Sequence, residues 1–151
     1  MSWILLLKLV HVVAAIVAVG ANLTYTYWMR YGAQDRDRLV WTMKGIRRLD
    51  RFVANPAYVV LLVTGLLMVL GGRFSFGASW ILVSIALYIA VVVLGIALYA
   101  PAFRRQLAEA ELDSTSQAYG DAARRSNLLG VTTIVAVLVI VALMVTKPAL
   151  W

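Results

Sequence analysis

The stretch Val131–Val145, VTTIVAVLVIVALMV, decides the architecture. It carries no charge, and its apolar residues do not alternate with polar ones, so it is not a half-buried strand. Extended to Leu128–Thr146, it reaches the roughly 20 residues that a helix needs to cross about 30 Å of hydrocarbon. Three runs of the same kind precede it: Trp3–Trp28, Pro56–Gly72 and Ser79–Tyr99. The second is short, and Phe52 and Val53 extend it. The four runs predict an all-α, integral membrane four-helix bundle, with residues 1–151 forming a single transmembrane domain.

Composition agrees. Hydrophobic residues make up 63% of the chain, whereas soluble domains hold nearer 45–50%. Lipid can solvate that excess. Each spanning backbone must then satisfy its own hydrogen bonds, which a helix does. A barrel would instead show alternating segments of about 10 residues. Lys8 lies inside the first run, which exceeds the 7–15-residue core of a signal peptide, so that span is expected to be retained. The absence of cysteine excludes disulfides, thiolate metal sites and c-type haem attachment.

The net charge of +7 is placed in two segments. Arg30, Arg36, Arg38, Lys44, Arg47, Arg48 and Arg51 lie between the first two runs, and Arg104, Arg105, Arg124 and Arg125 between the last two. Basic residues near span ends mark the cytoplasmic side. Both segments are therefore expected inside, with both termini and the Arg73 turn outside, and no nucleic-acid partner is expected. Leu39, Met43, Ile46, Leu49 and Val53 recur every three or four residues. This predicts a cytoplasmic amphipathic helix between helices 1 and 2, lying in the headgroup layer. Asn55-Pro56 is expected to break the chain before the second span. The third helix is expected to continue past Pro101, and Asp113–Gln117 with Gly120 to mark a break before Asn127 leads into the fourth.

Polar residues inside spans are costly and therefore informative. Lys8, His11, Ala15, Ala18, Asn22, Tyr25 and Trp28/Met29 share one face of the first span. The alanines leave a shallow groove for a flat ligand or another helix. His11 is the only histidine, and two readings of it stand. One is a hydrogen bond to a neighbouring helix, with Tyr88, Ser84 or Thr133 as partner. The other is axial ligation of haem iron, which neutral imidazole suits; a cluster of histidines on a metal is not available. Lys8 either snorkels to the interface or meets a ligand carboxylate such as a haem propionate. Asn22 reads as helix–helix glue. Ser84, Tyr88, Gly95 and Tyr99 share one side of the third span and face the same interior. Tyr99 also fits an inner aromatic belt with Tyr25, Tyr27 and Trp28. Met68 and Met144 are packing residues or second axial ligands. Thr64-Gly65 and Gly71-Gly72 permit close packing or shape the outer turn.

The pattern Lys8-Leu9-Val10-His11, followed by Ala14-Ala15 and Gly20, resembles the start of a family of small bacterial four-helix membrane proteins of unknown function. Leu49-Asp50-Arg51, Asn55-Pro56-Ala57 and Thr64-Gly65-Leu66 resemble its second-span signature, and Tyr99-Ala100-Pro101 the close of its third. That family is similar in outline to the HemJ-type protoporphyrinogen oxidases and to CopD-like copper-resistance membrane proteins. The first group has Lys-x-x-His on its opening helix and Pro … Thr-Gly-Leu on its second. Its histidine is implicated in haem binding, so the resemblance implies haem b on His11 with Lys8 beside it. The chain departs from that group in carrying no second histidine, and from the copper-handling group in lacking cysteine.

Three functions follow as expectations. The first is a haem-associated membrane protein with a redox or haem-related role, its cofactor site drawn from His11, Lys8, Asn22 and Tyr88 and its metal ligand His11. Bis-histidine ligation then requires a homo-oligomer. The second is a non-catalytic accessory or assembly subunit of a larger membrane complex. The third is a small transporter, for which only Asn22, Thr64 and Gly95 come near the midplane. In each case the setting is the lipid bilayer of the bacterial cytoplasmic membrane.

Overall fold

The computed structural model describes residues 2–72, 74–75 and 77–150, and every regular element among them is helical. Arg73 of the outer turn lies outside the described residues. α1 spans Trp3–Gly32. α2 (Arg36–Leu49), a π-turn (Asp50–Ala54) and α3 (Asn55–Leu70) follow as one continuous helix. α4 (Ser79–Val93), a second π-turn (Leu94–Tyr99) and α5 (Ala100–Asp113) form another, and α6 covers Gln117–Thr146. The four resulting helices have 30, 35, 35 and 30 residues, and all are long and apolar enough to cross a membrane.

The break expected at Asn55-Pro56 does not occur. Proline lacks an amide hydrogen, and its ring crowds the carbonyl four residues back. The π-turn relieves both problems. The Asn55 amide reaches the Asp50 carbonyl, five residues back, just ahead of the proline. Pro101 is accommodated in the same way, with the Ala100 amide on the Gly95 carbonyl. Both prolines thus widen their helices without interrupting them. The break before the fourth span is also shorter than expected. Ser116 caps α6 by accepting from the Tyr119 amide at 3.1 Å, and Gly120 and Asn127 lie inside that helix. In the preceding turn Asp113 accepts from the Thr115 hydroxyl and amide, which holds its carboxyl below the usual carboxylate range.

The helices form two antiparallel hairpins. In the first, α1 runs against the Arg36–Leu70 helix, with His11 opposite Thr64 and Tyr25 opposite Asp50. Near its far end a Cβ on Gly32 would stand 2.7 Å from Thr42 Oγ1, so only glycine permits that approach. Ala14, Ala18, Ala54 and Ala57 are buried along the same seam, and their small side chains let the backbones draw close. In the second hairpin, Ser79 Oγ donates to the Pro148 carbonyl at 3.3 Å and accepts from the Leu150 amide at 2.9 Å, tying the chain end to α4. Lys147 ends α6 in the left-handed conformation, with its ammonium 5.0 Å from the Phe74 ring centre.

A 35-residue helix is about 52 Å long, against about 30 Å of hydrocarbon. Roughly 20 Å of these helices therefore extends past the hydrocarbon at the basic end, through the headgroup layer and beyond it. This changes the reading of the amphipathic segment. Leu39, Met43 and Ile46 of its apolar stripe are buried on Tyr25, Phe103, Leu107 and Ala110, whereas Leu49 and Val53 are exposed. Because α2 and α5 are rigid extensions of spans, they meet at the same height and cover each other. Lys44 Nζ stands 2.8 Å from Glu111 Oε1, and the Arg36 guanidinium donates to the Glu111 carbonyl. Trp41, on the opposite side of α2, is 78% exposed. With the other tryptophans replaced by phenylalanine, Trp41 is expected to be quenched strongly by aqueous acrylamide and hardly by doxyl-labelled lipid. A helix lying in the headgroups would give the reverse.

Candidate functional site

The polar stripe of α1 faces the second helix, and its polar residues there each find a partner. His11 Nδ1 lies 2.9 Å from Thr64 Oγ1. Asn22 Nδ2 donates to the Tyr58 hydroxyl at 2.6 Å. Tyr25 donates to Asp50 Oδ1 at 3.1 Å. The groove over the alanines is thus filled by a helix, the second of the two occupants the sequence allows.

The hydrogen bonds around the first pair favour one histidine tautomer. The Thr64 hydroxyl donates its one proton to the Val60 carbonyl at 2.6 Å. It can only accept from His11, so Nδ1 carries the imidazole proton and Nε2 keeps its lone pair. Gly65 seats the ring from the other side: a Cβ there would lie 3.3 Å from His11 Cε1. Nδ1 and Cε1 thus lie against α3, and the ring as a whole is half-buried. The motif Lys8-x-x-His11 and the motif Thr64-Gly65 therefore meet at one point.

The expected site residues separate into two groups. His11 pairs with Thr64, not with Tyr88, Ser84 or Thr133. Lys8, one turn toward the N-terminus, is exposed. Tyr88 donates to the Tyr58 carbonyl at 2.9 Å and so joins Asn22 through Tyr58, well inward of His11. Ser84 is 1% exposed, and its hydroxyl has no hydrogen-bond partner among the described residues. Next to Asn22 and Tyr58, where the two hairpins meet, is a cavity of about 10 Å³ that Thr133 also lines. That is about the space of one water.

Asp50 and Tyr58 are the residues that sequence reasoning missed. Asp50 is a carboxylate inside a π-turn, and Tyr99 lies in the other π-turn and packs on the same cluster as Tyr25. The available signal was Asp50 itself, a lone acid amid the arginines next to the second span. Asn22→Leu removes one rung of the seam and is expected to cost about 0.6 kcal/mol, the usual worth of an intramembrane hydrogen bond. Unfolding in mixed micelles measures it.

Among the described residues no three His, Cys, Asp or Glu side chains stand together as a metal site. A metal bound at His11 must therefore bring most of its own ligands, as haem iron does with four porphyrin nitrogens.

No curated protein and no solved structure matches the chain. Residues 5–148 match the family described as "Predicted integral membrane protein (DUF2269)". Four membrane-length apolar helices, paired in two hairpins through a polar seam, accord with that description, and the chain belongs to the DUF2269 family of predicted integral membrane proteins.

Proposed function

We propose that this protein is a haem-associated membrane protein in which His11 Nε2 is an axial ligand of haem b. The observation that carries the reading is the hydrogen bond from Nδ1 to Thr64, itself anchored on Val60. An acceptor on the second nitrogen orients a ligating imidazole and raises its basicity. The resemblance to HemJ-type oxidases in Lys8-x-x-His11 and Thr64-Gly65-Leu66 points the same way. Bound haem supplies one-electron chemistry. The chain's own residues would hold and tune it: His11 would ligate, Thr64 would fix the imidazole with Gly65 leaving room for that ring, and Lys8 would offer an ammonium to a propionate.

The donor set fits. Neither the cavity beside Asn22 and Tyr58 nor the one lined by Pro101 and Arg125 includes His11, so a haem held by His11 would lie outside both. A second copy's His11 would supply the other imidazole in a homodimer. Protein purified in detergent after expression with ample haem should show a Soret band at one haem per one or two chains. A colourless preparation overturns the reading. In the same reading the basic end faces the cytoplasm of a bacterial cell, with both termini outside the cytoplasmic membrane; reporter fusions at each loop test that placement.

An accessory-subunit role is the second reading. It is favoured by Trp41 and Leu112, which are 78% and 76% exposed on the basic end, outside the hydrocarbon. Crosslinking from position 41 to one stoichiometric membrane partner in native membranes would support it.

A further inference from the structure

We infer that the groove between α5 and α6 at the basic end is a binding site for one anionic phospholipid, which takes the phosphodiester between Arg105 and Arg125. The cavity measures about 300 Å³, at the lower end of the range for ligand pockets. Its membrane-facing part is apolar, lined by Leu98, Pro101 and Ala102 of the helix that ends in α5. Arg105 and Arg125 come next, and Ala122 and Asp121, closer to the start of α6, line its outer end. The order along the groove is thus apolar first and cationic beyond.

Depth gives the arrangement its meaning. The apolar run Ser79–Tyr99 matches the hydrocarbon thickness at 1.5 Å per residue. Arg105 follows within two turns of its end, and Arg125 precedes the fourth apolar run by three residues. Both guanidiniums therefore stand in the headgroup layer, where lipid phosphates lie. Neither is consumed by a close ion pair: Arg105 is 67% exposed, and its Nε reaches Glu109 only at 4.0 Å. The lining itself, two cations and one carboxylate, sums to +1, with Glu109 standing 4.0 Å from Arg105 beside it. That favours a lipid with one net negative charge over a zwitterion, and Asp121 is suited to accept from the hydroxyls of a glycerol headgroup. Basic pockets between membrane helices bind anionic headgroups by this combination of charge and height. The site lies on the second hairpin and does not involve His11, so its failure and that of the haem reading are separately visible.

The test uses the full chain in dodecyl maltoside, titrated with phosphatidylglycerol, phosphatidylethanolamine or phosphatidylcholine of the same acyl length and read by native mass spectrometry. One phosphatidylglycerol should bind roughly tenfold more tightly than either zwitterion. Arg105→Gln with Arg125→Gln should erase that preference, whereas Arg104→Gln with Arg124→Gln, outside the groove, should keep it. Asp121→Asn should strengthen binding of phosphatidylglycerol, which keeps the proposal testable if the double arginine variant does not fold. Equal affinity for the three lipids overturns the proposal, as does a preference that survives the groove variant. Displacement of the lipid by millimolar glycerol phosphate would assign the arginines to a soluble anion and overturn it too.

Discussion

Replacing His11 with alanine is expected to abolish the Soret band of the haem-loaded protein while leaving the bundle folded. The loss should be complete because the chain holds no other histidine to take the iron. The fold should survive because the seam loses one hydrogen bond of three, a cost of about 0.6 kcal/mol. Thr64→Val separates ligation from orientation. It leaves Nε2 in place but strips Nδ1 of its acceptor, and outer-shell changes of that kind typically weaken metal binding about 10- to 100-fold. Haem titration in detergent, with circular dichroism as the folding control, reads both variants. A Soret band retained in His11→Ala would place the haem elsewhere.

The largest loss of stability is expected at the basic end of the bundle, outside the hydrocarbon. Met43 is 0% exposed, enclosed by Tyr25, Leu39, Ile46, Phe103 and Leu107. Truncation to alanine should cost about 2–5 kcal/mol, since transfer and cavity terms both apply there. Met68, 7% exposed within the second span, makes the informative comparison. Lipid tails are as apolar as a side chain, so burial inside the membrane carries no hydrophobic gain, and Met68→Ala forfeits packing alone. Its cost should be clearly smaller. Unfolding of the two variants by graded addition of sodium dodecyl sulfate compares them, and equal costs would place Met43 in lipid.

The four spans were legible in the sequence because hydrocarbon demands uncharged length, and Val131–Val145 meets that demand on its own. The inward face of α1 was legible because its polar residues are few and fall three or four apart. The face of α3 was not. That helix is apolar nearly all round, so periodicity says little about its rotation, and Thr64 could not be singled out as the partner of His11. Tyr88 was grouped with His11 on shared inwardness alone, whereas the register places it on Tyr58. Pro56 misled for a different reason. A proline reads as a break, but π-turns at Asp50–Ala54 and Leu94–Tyr99 let both long helices run on, and nothing in residue order announces a widened turn. Leu39, Met43 and Ile46 of α2 face inward as their spacing predicts and Leu49 and Val53 do not, while what covers the stripe depends on α5 arriving at the same height.

One nitrogen resonance experiment tests the centre of this account. With histidine as the only ¹⁵N-labelled residue, the chain's single imidazole gives one pair of signals. A protonated Nδ1 beside a bare Nε2 at neutral pH, with the proton exchanging faster in Thr64→Val, is the expected result. An Nε2-protonated ring, or one indifferent to Thr64, would contradict it.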